Sequence, residues 1–208
     1  MRHFNRNPVD AQQLIHILDA AHHAPSVGLM QPWRFLRITN TALRQQIQQL
    51  VEEERQQTAA ALGERQEEFL RLKVEGIIDA AELLVVSLMP EREQHIFGRR
   101  TLPEMDLASV ACAIQNMWLT ARAEGLGLGW VSLFDPHTLA ELLKIPEGGK
   151  PIAILCIGHV DTFYERPMLE QLNWRQGEPL QQHLFENSWG SPSPLLNKQH
   201  EESEPPSC

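Results

Sequence analysis

Between Asp10 and Ala24, apolar residues recur with a helical period that places Leu14, Ile17, Leu18 and Ala21 on one face. Asp10 stands at the N-cap position with Gln13 three residues on, the spacing at which two side chains satisfy each other's exposed backbone N–H groups. Pro25 disfavours helical geometry at Ala24, and Gly28 permits a turn that other residues resist, so the helix ends in a loop able to carry function. Residues 33–39 (WRFLRIT), rich in aromatic and β-branched side chains, predict a strand; Leu43, Ile47, Leu50 and Val51 then mark a second helix. Residues 52–75 are polar and charged, anchored by Phe69, Leu70 and Leu72, and read as a helical excursion with a wide solvated face.

Glu82–Leu88 (ELLVVSL) is a continuous apolar run stopped by Pro90, the pattern of a central strand. Residues 91–103 show little periodicity and suit either an ordered lid or a plain surface connection. The strongest helical signal spans Glu104–Glu124, with Leu107, Val110, Ala111, Ile114, Trp118 and Ala121 as an apolar stripe and Gly125 as its C-cap. A strand over Trp130–Phe134, a short helix after Asp135-Pro136 and a buried strand over Pro151–Gly158 follow. Alternating helices and strands make an α/β or α+β protein. Beyond Gly190 the chain is acidic and rich in Pro and Ser, a composition that cannot bury enough surface to fold alone, so residues 191–208 are expected to be a disordered tail.

With 208 residues and 42% apolar content, one domain is expected, covering residues 1–190. A net charge of −9 without a basic cluster argues against a nucleic-acid partner. No apolar run reaches membrane-spanning length and no secretory leader is visible, which points to a cytoplasmic protein without a membrane partner. Cys112, Cys156 and Cys208 are far apart and form no Cys-x-x-Cys pair; two read as packing residues and one as part of the tail. His22 and His23 would point about 100° apart on a helix, so no metal centre is expected there.

The glycine run GLGLG at 125–129 invites a dinucleotide-binding reading, but that fingerprint follows a strand and opens a helix, whereas here the order is reversed. Glycines leading into a strand would instead let backbone approach a flat ligand. The residues taken alone imply only a flat or anionic cofactor held by loops rich in Gly, Ser and Arg. Residues 21–33 (AHHAPSVGLMQPW) resemble the Pro-Ser-x-x-x-x-Gln-Pro-Trp loop of FMN-dependent nitroreductases, in the form found in 5,6-dimethylbenzimidazole synthases. Residues 72–77 (LKVEGI), 98–107 (GRRTLPEMDL) and 125–134 (GLGLGWVSLF) resemble the same subfamily. So do Trp174-Arg175, Pro179-Leu180 and Trp189-Gly190, and the likeness extends over roughly residues 1–190.

The resemblance implies an α+β subunit with a central, mostly antiparallel sheet flanked by helices, an intertwined homodimer, and FMN bound at the dimer interface. It implies an enzyme for which reduced FMN is the substrate: oxygen attacks, the isoalloxazine is fragmented, and 5,6-dimethylbenzimidazole and erythrose 4-phosphate leave. NAD(P)H would act through a separate flavin reductase, a transient partner, and a lid would shield the reactive flavin from water. Arg2 matches the last arginine of the family's Arg-Arg-Asp-x-Arg motif and would grip the FMN phosphate, a guanidinium offering paired donors; otherwise it is a terminal arginine in water. Ser26 would bond the phosphate or ribityl end, or serve only the turn. Gln31 would pair with the polar edge of the flavin, or cap an element. Lys73 would place positive charge near the pyrimidine side, or be solvated. Ser132 matches a serine close to the reacting part of the ring and is the catalytic candidate, against a serine bonded to backbone in a strand. Arg175 would be a second phosphate ligand and Arg99 and Arg100 would act from the lid, or each of the three is a surface charge. The leading Arg-Arg-Asp of the motif would precede Met1, so an upstream start is expected. The alternatives are an NAD(P)H-dependent nitroreductase or flavin reductase that releases intact FMN, and an inactive flavin-binding protein.

Overall fold

The reciprocal cap expected at Asp10 forms: its carboxylate accepts from Gln12 N–H at 2.8 Å while Gln13 returns a bond to the Asp10 backbone, opening helix α1 (Ala11–His22). The computed structural model describes residues 1–196 and falls into two compact units, Met1–Phe163 and the stretch from Tyr164 onward. In the first unit α1 leads through the loop at 23–32 to β1 (Trp33–Arg37) and α2 (Thr41–Ala61), capped by Asn40. The helical excursion continues into α3 (Gln66–Leu70), with Phe69 and Leu72 buried as its anchors. Then come β2 (Glu82–Leu88), α4 (Met105–Ala123), β3 (Gly127–Val131), α5 (Pro136–Leu142) and β4 (Lys150–Gly158). Arg44 of α2 donates to the carbonyls of Ala80 (2.6 Å) and Ala81 (3.2 Å), tying that helix to the turn that feeds β2.

The four strands form one antiparallel sheet in the order β1-β2-β4-β3. β2 and β4 are internal, as their unbroken apolar runs require. Side-chain alternation divides the core in two. Leu84, Val86, Leu88, Ala153, Leu155 and Ile157 face α1 and α4. Leu83, Val85, Ile154 and Cys156 face α2, α5 and the turn carrying Ile77 and Ala80. The protein is therefore α+β, helices covering both faces of an antiparallel sheet.

Three expectations are corrected. The strand predicted over Trp130–Phe134 is Gly127–Val131, because the register with β4 pairs Gly127 with Gly158 and Val131 with Ile154. On α4 the buried stripe is Val110, Ala113, Ile114, Met117 and Ala121, while Leu107 and Trp118 are 45% and 37% exposed. Apolar residues surround this helix, so its pattern could not say which face α1 and the sheet would take. Cys112 points outward from the same helix, whereas Cys156 is buried as expected.

α4 ends as its sequence foretold. Gly125, at φ +74°, donates to Arg122 O (3.1 Å) and Leu126 donates to Ala121 O (2.7 Å), the paired bonds of a left-handed helix terminus. The second unit holds α6 (Met168–Gln171), a bridge between Phe185 and Pro192, and the Phe185 and Trp189 rings 5.2 Å apart. Of the tail expected beyond Gly190, residues 191–196 carry that bridge and a short 3-10 turn (Pro194–Leu196), and the rest lies outside the described residues.

Candidate functional site

The glycines of β3 make room for the chain's own first residues. A Cβ on Gly129 would overlap the Met1 carbonyl oxygen and come 2.9 Å from an Arg2 guanidinium nitrogen; one on Gly127 would come 2.6 Å from Val160 and 3.0 Å from Met1. The flat surface inferred from GLGLG is thus covered by residues 1–2 of the same chain, a correction that only the fold supplies. Arg2 donates to Trp130 O at 3.0 Å and to Met1 O at 3.1 Å, meeting a carbonyl on the outer edge of β3. Ser132 follows two residues later, exposed just past the strand end, and its hydroxyl makes no hydrogen bond to the described residues.

Lys73 joins the same corner through Asp79. The Asp79 carboxylate receives Lys73 Nζ at 2.9 Å and Arg6 Nη2 at 2.7 Å, and Phe4 packs where a Cβ on Gly76 would be 2.5 Å from its ring. Hydrogen bonds from Lys73 and then from Arg6 hold the Asp79 carboxyl below the ordinary carboxylate range. Arg2, Arg6 and Lys73 face Glu75 and Asp79, so the corner carries excess positive charge suited to a phosphate or an anionic ring. Beneath it Cys156 is buried, and burial lifts its thiol to about 11, which makes it a packing group and not a nucleophile.

Ser26 and Gln31 lie elsewhere, in the loop entering β1. Ser26 Oγ accepts from Gln31 N–H at 3.1 Å, leaving the hydroxyl hydrogen to be donated. Gln31 adopts φ +46° and its amide reaches His22 O at 3.4 Å; Gly28 and Leu29 also have positive φ, so the loop is a tight, side-chain-bonded turn. Ser109 of α4, which no sequence signal pointed to, accepts from Val27 N–H at 3.0 Å and donates to Met105 O at 2.6 Å. The 91–103 loop packs directly on this turn: a Cβ on Gly98 would be 2.5 Å from Val27, and one on Gly28 would be 3.3 Å from the Phe97 ring.

Arg99 does not act from this loop as a free charge. It is buried with Asp106 at 3.0 Å and also donates to the carbonyls of Arg92, His95 and Pro103. Arg100 is exposed. Arg175 sits in the second unit, exposed and paired with Glu178 at 3.5 Å. Asp79 and Asp106 were both missed because their partners are distant or carry no local spacing rule. A hint existed only for Asp106, an acid in the first turn of a helix.

Arg2, Lys73 and Ser132 thus gather toward edge strand β3, and Ser26 and Gln31 lie at the entry to the opposite edge strand, β1. Three inter-strand spacings separate the two edges, roughly 14 Å. A cleft of about 650 Å³ beside α5, lined by His137, Lys144 and Lys150 among others, contains none of these residues.

Residues 1–159 match the model of the nitroreductase family. The chain is 40% identical to 5,6-dimethylbenzimidazole synthase of Rhodospirillum rubrum over 86% of each protein. It is 35% identical to the enzyme of the same name from Rhodobacter capsulatus, over 86% of this chain and 87% of that one. Among solved structures it is similar to a BluB-like flavoprotein from Clostridium difficile, with TM-score 0.67 and 16% identity, covering 90% of this chain and 95% of that one. It is also similar to iodotyrosine deiodinase bound to FMN and 3-iodo-L-tyrosine, with TM-score 0.65 and 25% identity, covering 80% and 88% of the two chains.

Proposed function

The chain belongs to the nitroreductase family, and within it to the 5,6-dimethylbenzimidazole synthases; from that premise we propose that it consumes reduced FMN and oxygen, releasing 5,6-dimethylbenzimidazole and erythrose 4-phosphate. Dimethylbenzimidazole made in this way would be the lower ligand of cobalamin. The observation that carries the reading is the division of the matched residues between two corners of one subunit, each chemically incomplete for FMN. The positively charged corner has a phosphate-binding character but lacks the amide of Gln31; the Ser26–Gln31 turn has polar donors, and the cation beside it, Arg34, is committed to the carbonyls of Gln31 and Trp33. Two copies facing each other would bring one corner of each together, which supports a homodimer with FMN between subunits. Exposed apolar residues of α1 and α4, among them Ile15 (52%) and Leu119 (59%), are the surface such a dimer would cover.

The donor set fits FMN. Arg2 and Lys73 would hold its phosphate or the anionic pyrimidine side. Ser26 has a hydroxyl hydrogen left to donate, and Gln31 offers both donor and acceptor to the ring edge. Bound reduced FMN supplies the electrons and the carbon skeleton of the product. Ser132, with an uncommitted hydroxyl, would give or take a proton at the reacting ring, and the 91–103 loop would exclude water. A flavin reductase using NAD(P)H would deliver the reduced flavin.

The test mixes the purified chain with chemically reduced FMN in air and assays dimethylbenzimidazole by mass spectrometry. Product, with matching loss of FMN, is expected. FMN recovered whole, with NADPH oxidised when supplied, would replace this reading by a nitroreductase that recycles flavin. FMN bound and recovered whole without NADPH oxidation would leave a flavin-binding protein.

A further inference from the structure

Asp106 is 6% exposed in the first turn of α4, and its Oδ2 receives both Arg92 Nε at 2.8 Å and Arg99 Nη2 at 3.0 Å. Its other oxygen accepts from the Leu107 N–H, so the carboxylate is satisfied on both sides and lies where the helix dipole favours negative charge. Each arginine also donates to backbone. Arg92 reaches Met89 O and Gly148 O, at 2.5 and 2.6 Å, beyond the ends of β2 and α5. Arg99 reaches the carbonyls of Arg92, His95 and Pro103, within its own loop. Buried charge of this kind persists only when its partners are held in place. Here the partners are the anchors of the 91–103 loop.

That loop does not end at the ion cluster. The backbone oxygen and the ring of Phe97 lie over Gly28, and Val27 fills the space a side chain on Gly98 would need, so each loop presents a glycine to the other. One turn along α4 from Asp106, Ser109 takes the Val27 N–H. Asp106 makes no hydrogen bond or ion pair to residues 24–31, yet two routes from it, through Arg99 and the loop and along α4 through Ser109, arrive at Val27 and Gly28, beside Ser26.

We propose that Arg92, Arg99 and Asp106 are positioning residues that lock the 91–103 and 24–31 loops into a single unit and thereby set the flavin affinity of Ser26 and Gln31. The affinity part rests on the functional reading above; the coupling of the two loops does not. The exchange test compares Asp106→Asn with the unaltered full chain by hydrogen–deuterium exchange. Asp106→Asn is expected to accelerate exchange in 91–103 and, by about fivefold or more, in 24–31 as well. Acceleration confined to 91–103 would overturn the proposal. Should Asp106→Asn fail to fold, Phe97→Ala carries the test, because Phe97 is 84% exposed and its loss leaves the core intact. It is expected to accelerate exchange in 24–31, and unchanged exchange there would overturn the coupling.

Quenching of FMN fluorescence gives the second readout. Asp106→Asn should weaken FMN binding about tenfold at unchanged far-ultraviolet circular dichroism, and the loss should enter KM for reduced FMN and not kcat. Adding Phe97→Ala to that variant should cost little more, since both act through one unit; fully additive losses would overturn the proposal. If the unaltered chain does not quench FMN fluorescence, the flavin reading fails and the exchange result alone decides the loop coupling.

Discussion

Replacing Gly129 by alanine tests whether β3 is built to receive the N-terminal segment. The added methyl would overlap the Met1 carbonyl oxygen and stand 2.9 Å from an Arg2 guanidinium nitrogen. Backbone at such a position cannot rotate aside, so residues 1–2 must lift. Lifting breaks the Arg2 bond to Trp130 O at 3.0 Å and the Met1 N bond to Leu128 O at 2.7 Å. The bond from the charged Arg2 contributes on the order of 1.5–3 kcal/mol and that from the Met1 amine, whose pKa burial lowers to about 6, on the order of 1 kcal/mol; both donors are only part-buried and water replaces much of the loss, so about 2 kcal/mol is expected. Asn5 N–H on His159 O and the Arg6–Asp79 pair keep the segment attached downstream, which limits the damage to its first residues. For a domain of this size about 2 kcal/mol corresponds to a fall in Tm of roughly 4–8 °C, read by circular dichroism. FMN affinity should fall with it, because Arg2 would lose its place. A Gly129→Ala protein with unchanged Tm and FMN affinity would show that the segment does not occupy this slot.

Gly125→Ala is the control within the same glycine run: nothing lies within 4 Å of its added methyl, so only the left-handed backbone at φ +74° resists, at a cost of about 1 kcal/mol and roughly 2–4 °C in Tm, without effect on FMN binding. Ser132→Ala should lower kcat for dimethylbenzimidazole formation about 100-fold or more while changing FMN affinity by less than about threefold; equal loss in both would make the serine a binding group. Asp79 has its pKa depressed in the folded state, so its contribution is present above the unfolded value of 3.8 and is lost as pH falls through the lower folded value. Asp79→Asn should therefore lower stability near neutral pH by on the order of 1 kcal/mol and flatten its acid dependence below about pH 4, as measured by urea unfolding at several pH values.

Much of the local architecture was legible from residue order. The Asp10–Gln13 cap, the Gly125 terminus, the short helix at Asp135-Pro136 and the apolar run of β2 are all decided by neighbours within a few residues, and each forms where the pattern places it. The family motifs were equally legible, and the comparisons bear out the membership they implied. Tertiary structure decided what no short spacing encodes. Trp130 begins no strand, because β4 sets the register of β3 from outside it. Which face of α4 is buried depends on α1 and the sheet, since apolar residues surround that helix. The two spare glycines of GLGLG serve residues 1–2, more than 120 positions away, and Arg99 turns inward because Asp106 waits there. Helix caps and apolar periods are interactions among neighbours, so order along the chain is enough to state them. A glycine's vacancy or a buried carboxylate acquires meaning only from what the fold brings against it.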